Sequence, residues 1–209
     1  MKREKVQVGG FIPVFTGSPS IVMGGFNLDK EKQRFDSTDV IPAGTLTIVD
    51  EEKRLVSVIK TGYVAEVGTD KKVVTLKVTE SYNPIFVAGD KVAKVGEISG
   101  TFKDAAQIVN VSKIDNTFVI TLSKEIDTLV KGDVLIEVVN KSSNAAVIGN
   151  ANSISVSPQH VGSYETNMDV SKDTMQYAVY KRRVSPIPAD QLDATGQFLK
   201  DNPHVKFTK

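Results

Sequence analysis

The sequence predicts a mainly β protein: a small antiparallel barrel or sandwich core, an extended N-terminal arm and one short C-terminal helix. Apolar and polar residues alternate in VVTLKVT (residues 73–79) and TFVITLS (117–123), which is the pattern of half-buried strands. Val, Ile and Thr are abundant throughout residues 41–157, as a pleated surface favours. No amphipathic pattern longer than about three helical turns occurs there, so we expect a sheet core.

Two hairpins are predicted within this core. TLTIVDEEKRLVSVI contains two apolar runs separated by a polar tip at residues 50–53. IVNVSKIDN ends in Asp115-Asn116, a turn signal that leads into the alternating strand of residues 117–123.

The two ends of the chain have a different pattern, so we divide the chain into three parts. Residues 1–40 form an extended arm, since prolines and two Gly-Gly phrases, VGGF and MGGF, oppose a helix. Residues 41–150 form the β core. Residues 151–209 form a mixed segment of strand, short helix and tail, which we expect to dock on the core, on a neighbouring subunit or on a larger particle.

The C-terminal helix is predicted over residues 187–203, IPADQLDATGQFLKDNP. Pro188 suits a first helical turn, and Asn202-Pro203 would end the helix. Leu192, Thr195, Gly196 and Leu199 would share one face. In the tail that follows, Val205 and Phe207 alternate with polar residues as in a last edge strand.

A turn phrase recurs three times, in IPAGTLTIV, FVAGDKVAKV and LVKGDVLIEV. Gly44, Gly89 and Gly132 each follow a large apolar residue by three positions, and Asp90 and Asp133 come directly after the second and third glycines. One Asp followed by apolar residues is too few oxygen ligands for calcium. We interpret these residues as structural: the glycine supplies a positive φ, and the aspartate caps the turn before a strand.

The sequence shows no catalytic or cofactor motif. The chain has no cysteine, only two histidines (His160 and His204), and neither a phosphate-binding loop nor a dinucleotide fingerprint. We therefore expect no catalytic residue, no metal and no cofactor, and a hydrolase is the least favoured class. A net charge of +1 and the absence of long apolar runs predict neither nucleic-acid nor membrane binding. MKREKVQVGG lacks the apolar stretch of a secretory signal.

Both ends carry residues that need a partner. The arm is rich in apolar residues, and YKRRV (180–184) is the densest positive cluster. Such a run is usually a solvated strand end. Because arginine forks suit carboxylates, the functional alternative is an ion-pairing role at an acidic protein surface. The predicted interface residues are Phe11, Ile12, Phe15, Met23, Phe26, Tyr177, Tyr180, Arg182 and Arg183.

Three stretches together resemble the head fibre and head decoration proteins of tailed bacteriophages, in particular those of crAss-like and related gut phages. They are VQVGGFIPVFTGSPSIVMGGFNLD, IPAGTLTIVDEEKRLVSVIKTG and MQYAVYKRRVSPIPADQLDATGQFLKDNPHVKF. The two Gly-Asp turns, with TFKDA (101–105) between them, fit the same likeness. It covers most of the chain in order.

The resemblance implies a virion structural protein without catalysis, on the capsid exterior and assembled in the host cytoplasm. It implies the major capsid protein or other capsid components as partners, and a homo-oligomer with a trimer favoured. The chain shows no long glycine-rich or coiled-coil shaft, which indicates a short knob or base. The alternative is a carbohydrate- or cell-surface-binding β module, with a host glycan as ligand. Aromatic residues are only 7% of the chain and tryptophan is absent, which disfavours that alternative.

Overall fold

A computed structural model describes residues 13–18, 21–22, 25–114, 116–162, 166–171 and 178–209. The described residues are mainly β, as the sequence predicts. The described ranges contain three short 3₁₀ helices, at Phe102–Asp104, Lys181–Arg183 and Ala189–Gln191. The strands are β1 (Phe26–Leu28), β2 (Val40–Ile41), β3 (Leu46–Asp50), β4 (Leu55–Val58), β5 (Thr61–Val67), β6 (Val73–Leu76), β7 (Lys91–Lys94), β8 (Ala106–Ile114), β9 (Thr117–Leu122), β10 (Val134–Lys141), β11 (Asn144–Ala146), β12 (Ser153–Ser155), β13 (Gln159–His160), β14 (Asn167–Met168), β15 (Val170–Ser171), β16 (Val179–Tyr180) and β17 (Phe207–Thr208).

Six of these strands form a small antiparallel barrel. The pairing order is β10-β5-β6-β9-β8-β7, and β7 pairs again with β10, which closes the ring. β11 continues the sheet as a hairpin with the end of β10. Because closure pairs both edges, the barrel leaves no long unpaired edge strand.

The barrel interior holds the alternating apolar residues that predicted the strands. Val74 and Leu76 of β6 pack against Phe118, Ile120 and Leu122 of β9 in one buried cluster. The residues between them on the same strands are more exposed, as the period of two requires.

A second, six-stranded sheet has the order β14-β1-β4-β3-β12-β15. The predicted hairpin is its centre: β3 and β4 are antiparallel, with residues 51–54 at the tip. β1 pairs parallel to β4, and all other neighbours are antiparallel. The sheet thus takes strands from before residue 40 and after residue 151 as well as from the segment between them.

Both faces of this second sheet are covered. On one face, Leu46 and Ile154 join a cluster that includes Ile136 from β10, so this cluster connects the sheet to the barrel. On the other face, Val49 and Val56 pack with Phe26. The result is a sandwich-like arrangement of a sheet against a barrel wall.

The predicted C-terminal helix is wrong. Over residues 187–203 the only helical element is the single 3₁₀ turn Ala189–Gln191, and Leu192 forms an antiparallel bridge with Leu199. Leu199 is fully buried in the cluster between the sheet and the barrel.

Turn chemistry explains the failure of the helix. The side chain of Asp193 accepts hydrogen bonds from the backbone N–H of Thr195 at 2.9 Å and from the Thr195 hydroxyl at 2.7 Å. Gly196 follows at φ +69°. An Asp-x-Thr-Gly turn offers the backbone local partners that compete with helical hydrogen bonds, and it folds the segment back on itself.

The tail forms the predicted last strand. β17 pairs parallel to β16, and Val205 and Phe207 are both buried. Among the described residues, no helix is long and apolar enough to cross a membrane.

Candidate functional site

The three predicted turns are built alike. Gly44, Gly89 and Gly132 have φ of +79°, +96° and +96°. In the second and third turns the aspartate reaches back to the backbone: Asp90 Oδ2 accepts from Val87 N–H at 3.0 Å, and Asp133 Oδ2 accepts from Val130 N–H at 2.8 Å. One turn leads into β7 and the other into β10, the two strands that close the barrel.

The two aspartates differ in what else they contact. Asp133 lies 3.2 Å from Lys94 Nζ, and both side chains are about one fifth exposed, at 20% and 19%. Asp90 lies 2.8 Å from Lys60 Nζ, and these side chains are 1% and 0% exposed. Two similar Gly-Asp turns therefore produce one ion pair that contacts solvent and one that is buried.

Glu137 lies beside the buried pair of Lys60 and Asp90. Its Oε1 is 3.6 Å from Lys60 Nζ, and its side chain is 8% exposed. We call Lys60, Asp90 and Glu137 the buried triad. Two carboxylates and one ammonium give it a net charge of −1 when all three are ionised.

The barrel topology brings the triad together. Lys60 stands directly before β5, Asp90 stands directly before β7, and Glu137 lies in β10, which pairs with both of those strands. The backbone fixes this further, since Glu137 N–H donates to the Lys60 carbonyl at 3.0 Å. The three side chains are thus held by three adjacent strands of one barrel wall.

The segment between β1 and β2 covers the triad. Gln33 is buried and bonds to the backbone of Val58 twice, through Nε2 to the carbonyl and through Oε1 to the N–H, both at 2.8 Å. Gln33 Nε2 also donates to Glu137 Oε2. Lys60 Nζ donates to the Arg34 carbonyl and lies 4.5 Å from the centre of the Phe35 ring. This cover keeps water away from the Lys60 ammonium.

Burial dominates the electrostatics of the triad. It raises the pKa of Asp90, and the Lys60 ammonium offsets this only in part. Burial likewise raises the pKa of Glu137 to about 7, with Lys60 opposing the shift and Asp90 adding to it. Asp90 Oδ1 is buried and accepts no hydrogen bond from the described residues.

A cleft of about 740 Å³ lies beside the triad. Asp90 and Glu137 line it together with cations such as Lys32, Arg34 and Lys91. Several of these cations already have partners within the chain: Lys32 pairs with Asp29 at 2.7 Å, and Lys91 Nζ donates to the Phe102 carbonyl at 2.7 Å. The cleft is therefore lined by charges of both signs, and several of its cations are already held by contacts within the chain.

The described residues contain no group of three or more His, Cys, Asp or Glu side chains that could hold a metal ion. His160 is exposed in β13, and His204 is exposed in the turn before β17. What the triad offers chemically is an amine held against a carboxyl group in a dry site, with a second carboxyl group alongside.

The predicted interface residues fall into three groups. Phe15 and Phe26 are buried in the core of the chain itself, and the Arg54 guanidinium lies 4.1 Å from the Phe26 ring centre. Tyr180, Arg182 and Arg183 lie together near the surface. The remaining four, Phe11, Ile12, Met23 and Tyr177, lie outside the described residues.

Sequence reasoning missed Lys60, Glu137 and Gln33. One signal was present: Lys60 interrupts the apolar run VSVI and precedes a strand, where a buried lysine needs a carboxylate partner. The choice of Asp90 over Asp133 as that partner depends on the fold and has no counterpart in the sequence.

Comparisons with known proteins do not place the chain in a family, because no family model, no curated protein and no solved structure matches it.

Proposed function

We propose that this chain is a structural protein without catalytic activity, bound as a head fibre or decoration protein to the outer surface of a tailed-phage capsid. Two things support the proposal: the sequence resemblance over most of the chain, and a basic docking surface in the C-terminal segment. The observation that carries it structurally is this surface, formed by Tyr180 and the 3₁₀ turn Lys181–Arg183.

The docking surface presents consecutive cations around one aromatic ring. The guanidinium carbons of Arg182 and Arg183 lie 5.2 Å and 4.7 Å from the Tyr180 ring centre. Within the described part of the chain, no carboxylate lies within ion-pair distance of Lys181, Arg182 or Arg183. Cations that are ordered by an aromatic ring and left without carboxylates fit an acidic partner surface.

The docking surface also joins the two ends of the chain. Arg183 Nη1 donates to the Pro13 carbonyl, and the bridge between Phe15 and Val179 lies beside it. A partner bound here would contact residues from the N-terminal arm and from the C-terminal segment at once. Self-association as a trimer through the same ends is part of the proposal.

The test starts with the purified chain, whose oligomeric state is measured by light scattering. The chain is then mixed with capsids that lack it, and bound copies are counted after sedimentation. We expect an oligomer that binds at a fixed copy number and is released by salt. A monomer that does not sediment with capsids would refute the proposal.

Charge reversal on the docking surface gives the matched comparison. Lys181→Glu with Arg182→Glu should lower occupancy, while Arg183 is left in place because it also holds the arm. The control reverses two other exposed lysines, Lys124→Glu with Lys131→Glu, and changes net charge equally. Equal loss in both variants would show that net charge, and not this surface, determines binding.

The carbohydrate-binding alternative has less structural support. Of the large apolar side chains that the described residues leave exposed, only Tyr63 is aromatic, at 40% exposure. Sugar-binding sites generally stack the sugar ring on exposed aromatic side chains. One isolated tyrosine offers little surface for such stacking. Binding on a glycan array with no capsid affinity would favour this alternative over the decoration role.

A further inference from the structure

We propose that Lys60 and Asp90 condense to an intramolecular amide crosslink, an isopeptide bond between Lys60 Nζ and Asp90 Cγ, with Glu137 moving the protons. The inference is independent of the decoration role, since it concerns the buried triad alone. It rests on the contact distances, on the burial of all three side chains and on the hydrogen bonds that hold them.

The first argument is position. Lys60 Nζ is 2.8 Å from Asp90 Oδ2, so the nitrogen is held close to the carbon to which that oxygen is bonded. Both side chains are essentially unexposed, and each is anchored: Asp90 by Val87 N–H, and Lys60 by the Arg34 carbonyl. Holding two reactants in this way converts a bimolecular reaction into a unimolecular one, with effective concentrations of about 10⁵ M or more.

The second argument is the dry environment. Amine and carboxylic acid normally persist as ions in water because water stabilises both charges. In the triad, burial raises the pKa of Asp90, and a proton that passes along the 2.8 Å hydrogen bond from Lys60 Nζ to Asp90 Oδ2 gives the neutral pair that can react. Condensation then removes two buried charges and leaves a neutral amide.

The third argument is the second carboxyl group. Glu137 Oε1 lies 3.6 Å from Lys60 Nζ, and Gln33 holds its other oxygen. A carboxyl group with a pKa near neutrality both accepts and donates protons readily, and burial raises the pKa of Glu137 to about 7. Glu137 is therefore suited to take a proton from the attacking nitrogen and give it to the departing oxygen.

The reaction balances without any further reagent. The lone pair of neutral Lys60 Nζ attacks Asp90 Cγ, and the N–C bond forms. Glu137 transfers one proton from Nζ and then the acid proton from Oδ2 to Oδ1, the Cγ–Oδ1 bond breaks, and Oδ1 leaves as one water molecule. Glu137 returns to its starting protonation state.

The unpaired oxygen of Asp90 favours this outcome. Oδ1 has no hydrogen bond to lose among the described residues, so its departure as water breaks no protein contact. Oδ2 remains as the amide carbonyl and keeps the hydrogen bond from Val87 N–H. The turn that the aspartate caps is therefore preserved in the product.

Lys94 and Asp133 provide a matched control inside the same molecule. They form an ion pair of 3.2 Å in a turn of the same type, but both side chains reach solvent. The glutamate beside them, Glu97, is 44% exposed. Water stabilises the ions and competes for the proton transfers, so we expect no bond there.

The test is the intact mass of the full chain, purified and denatured. The crosslinked chain should weigh about 18 Da less than its sequence mass, the mass of one water molecule. Proteolysis should yield a branched peptide that joins the segments around Lys60 and Asp90, and none that joins Lys94 to Asp133. A full-length mass equal to the sequence mass would overturn the proposal.

Variants identify the atoms involved. Lys60→Met and Asp90→Ala should restore the sequence mass, and loss of water that persists in Lys60→Met would overturn the proposal in favour of another dehydration. Asp90→Asn should still crosslink, with ammonia of about 17 Da leaving in place of water. Circular dichroism of each variant before digestion establishes that it is folded.

Glu137→Gln tests the proton transfer separately. It keeps the shape of the side chain but removes its acid–base function, so the loss of water should slow by about 100-fold or more. The rate is followed by mass from the first folding of each chain, which is isolated unfolded in denaturant so that no bond has yet formed. Crosslinking at the unaltered rate in this variant would refute the role assigned to Glu137.

Discussion

Gly44→Ala should destabilise the protein strongly, and the structure gives the size of the effect. Gly44 has φ +79°, a conformation in which a side chain costs about 1–2 kcal/mol. An added Cβ would also lie 2.3 Å from Val184 Cγ1 and 2.7 Å from Val14 Cγ1, and both valines are buried. Overpacking of that kind costs about 1–3 kcal/mol more. The expected loss in free energy of unfolding is therefore about 2–5 kcal/mol.

Gly132→Ala is the matched control, because it separates backbone strain from overpacking. Gly132 has φ +96°, and an added Cβ there meets no atom within 4 Å. The loss in free energy of unfolding for Gly132→Ala should therefore be limited to about 1–2 kcal/mol, the cost of backbone strain alone. Urea unfolding of both variants measures the difference, provided that the slope with denaturant is unchanged. Equal losses for the two alanines would refute the packing argument.

Two further predictions concern the barrel core and the buried triad. Phe86→Ala should lower the free energy of unfolding by about 3–5 kcal/mol, because Phe86 is fully buried among the barrel side chains. Val130 is 57% exposed, so Val130→Ala should change it by less than about 0.5 kcal/mol. Thermal unfolding of the two variants measures the difference. In a Lys60→Met background, which cannot crosslink, the pKa of Glu137 stays above its ordinary 4.5, since burial raises it to about 7 even beside the ammonium. The folded chain then binds more protons than the unfolded chain, so this stabilisation is complete below about pH 4.5 and is lost as pH rises through the folded pKa, which lies at about 7 or above once Lys60 no longer lowers it. Adding Glu137→Gln should therefore stabilise that background by about 3 kcal/mol at pH 8 and by little at pH 5. Urea unfolding at the two pH values measures the difference. Equal stabilisation at pH 5 and pH 8 would contradict the raised pKa of Glu137.

Local patterns predicted the strands because strand periodicity survives in a single sequence. The alternation in residues 73–76 and 117–122 corresponds to the inner and outer faces of the barrel wall. The hairpin of β3 and β4 was equally legible, since its polar tip separates two apolar runs. Closure of the barrel could not be predicted from the sequence, because the pairing of β7 with β10 joins strands that are distant in sequence and depends on packing alone.

The C-terminal segment shows how spacing misleads. Leu192, Thr195, Gly196 and Leu199 have helical spacing, yet the segment turns back at Asp193. Periodicity over so few residues is weak, whereas a side chain that bonds its own backbone acts locally and decides the conformation. The Asp-x-Thr-Gly turn signal is present in the sequence and determines the local conformation here more strongly than the spacing does.

The candidate site was beyond sequence reasoning for a related cause. Asp90 and Asp133 each follow a glycine in similar phrases, and both cap their turns in the same way. Their chemistry differs because Gln33 and its neighbours cover one ion pair and leave the other open to water. Burial is a property of the assembled fold, so the sequence could indicate a turn but not a reactive pair.

The proposed crosslink would hold closed a small barrel in a chain that has no cysteine. Lys60 precedes β5, Asp90 precedes β7, and β10 lies between these two strands, so a bond between them ties together the wall where the ring closes. By the loop-closure argument used for disulfides, joining residues about 30 positions apart removes about 4 kcal/mol of entropy from the unfolded chain. Since the chain has no cysteine, a disulfide cannot supply this constraint. Opening of the crosslinked barrel would require a covalent bond to break, which neither denaturant nor a reducing agent achieves.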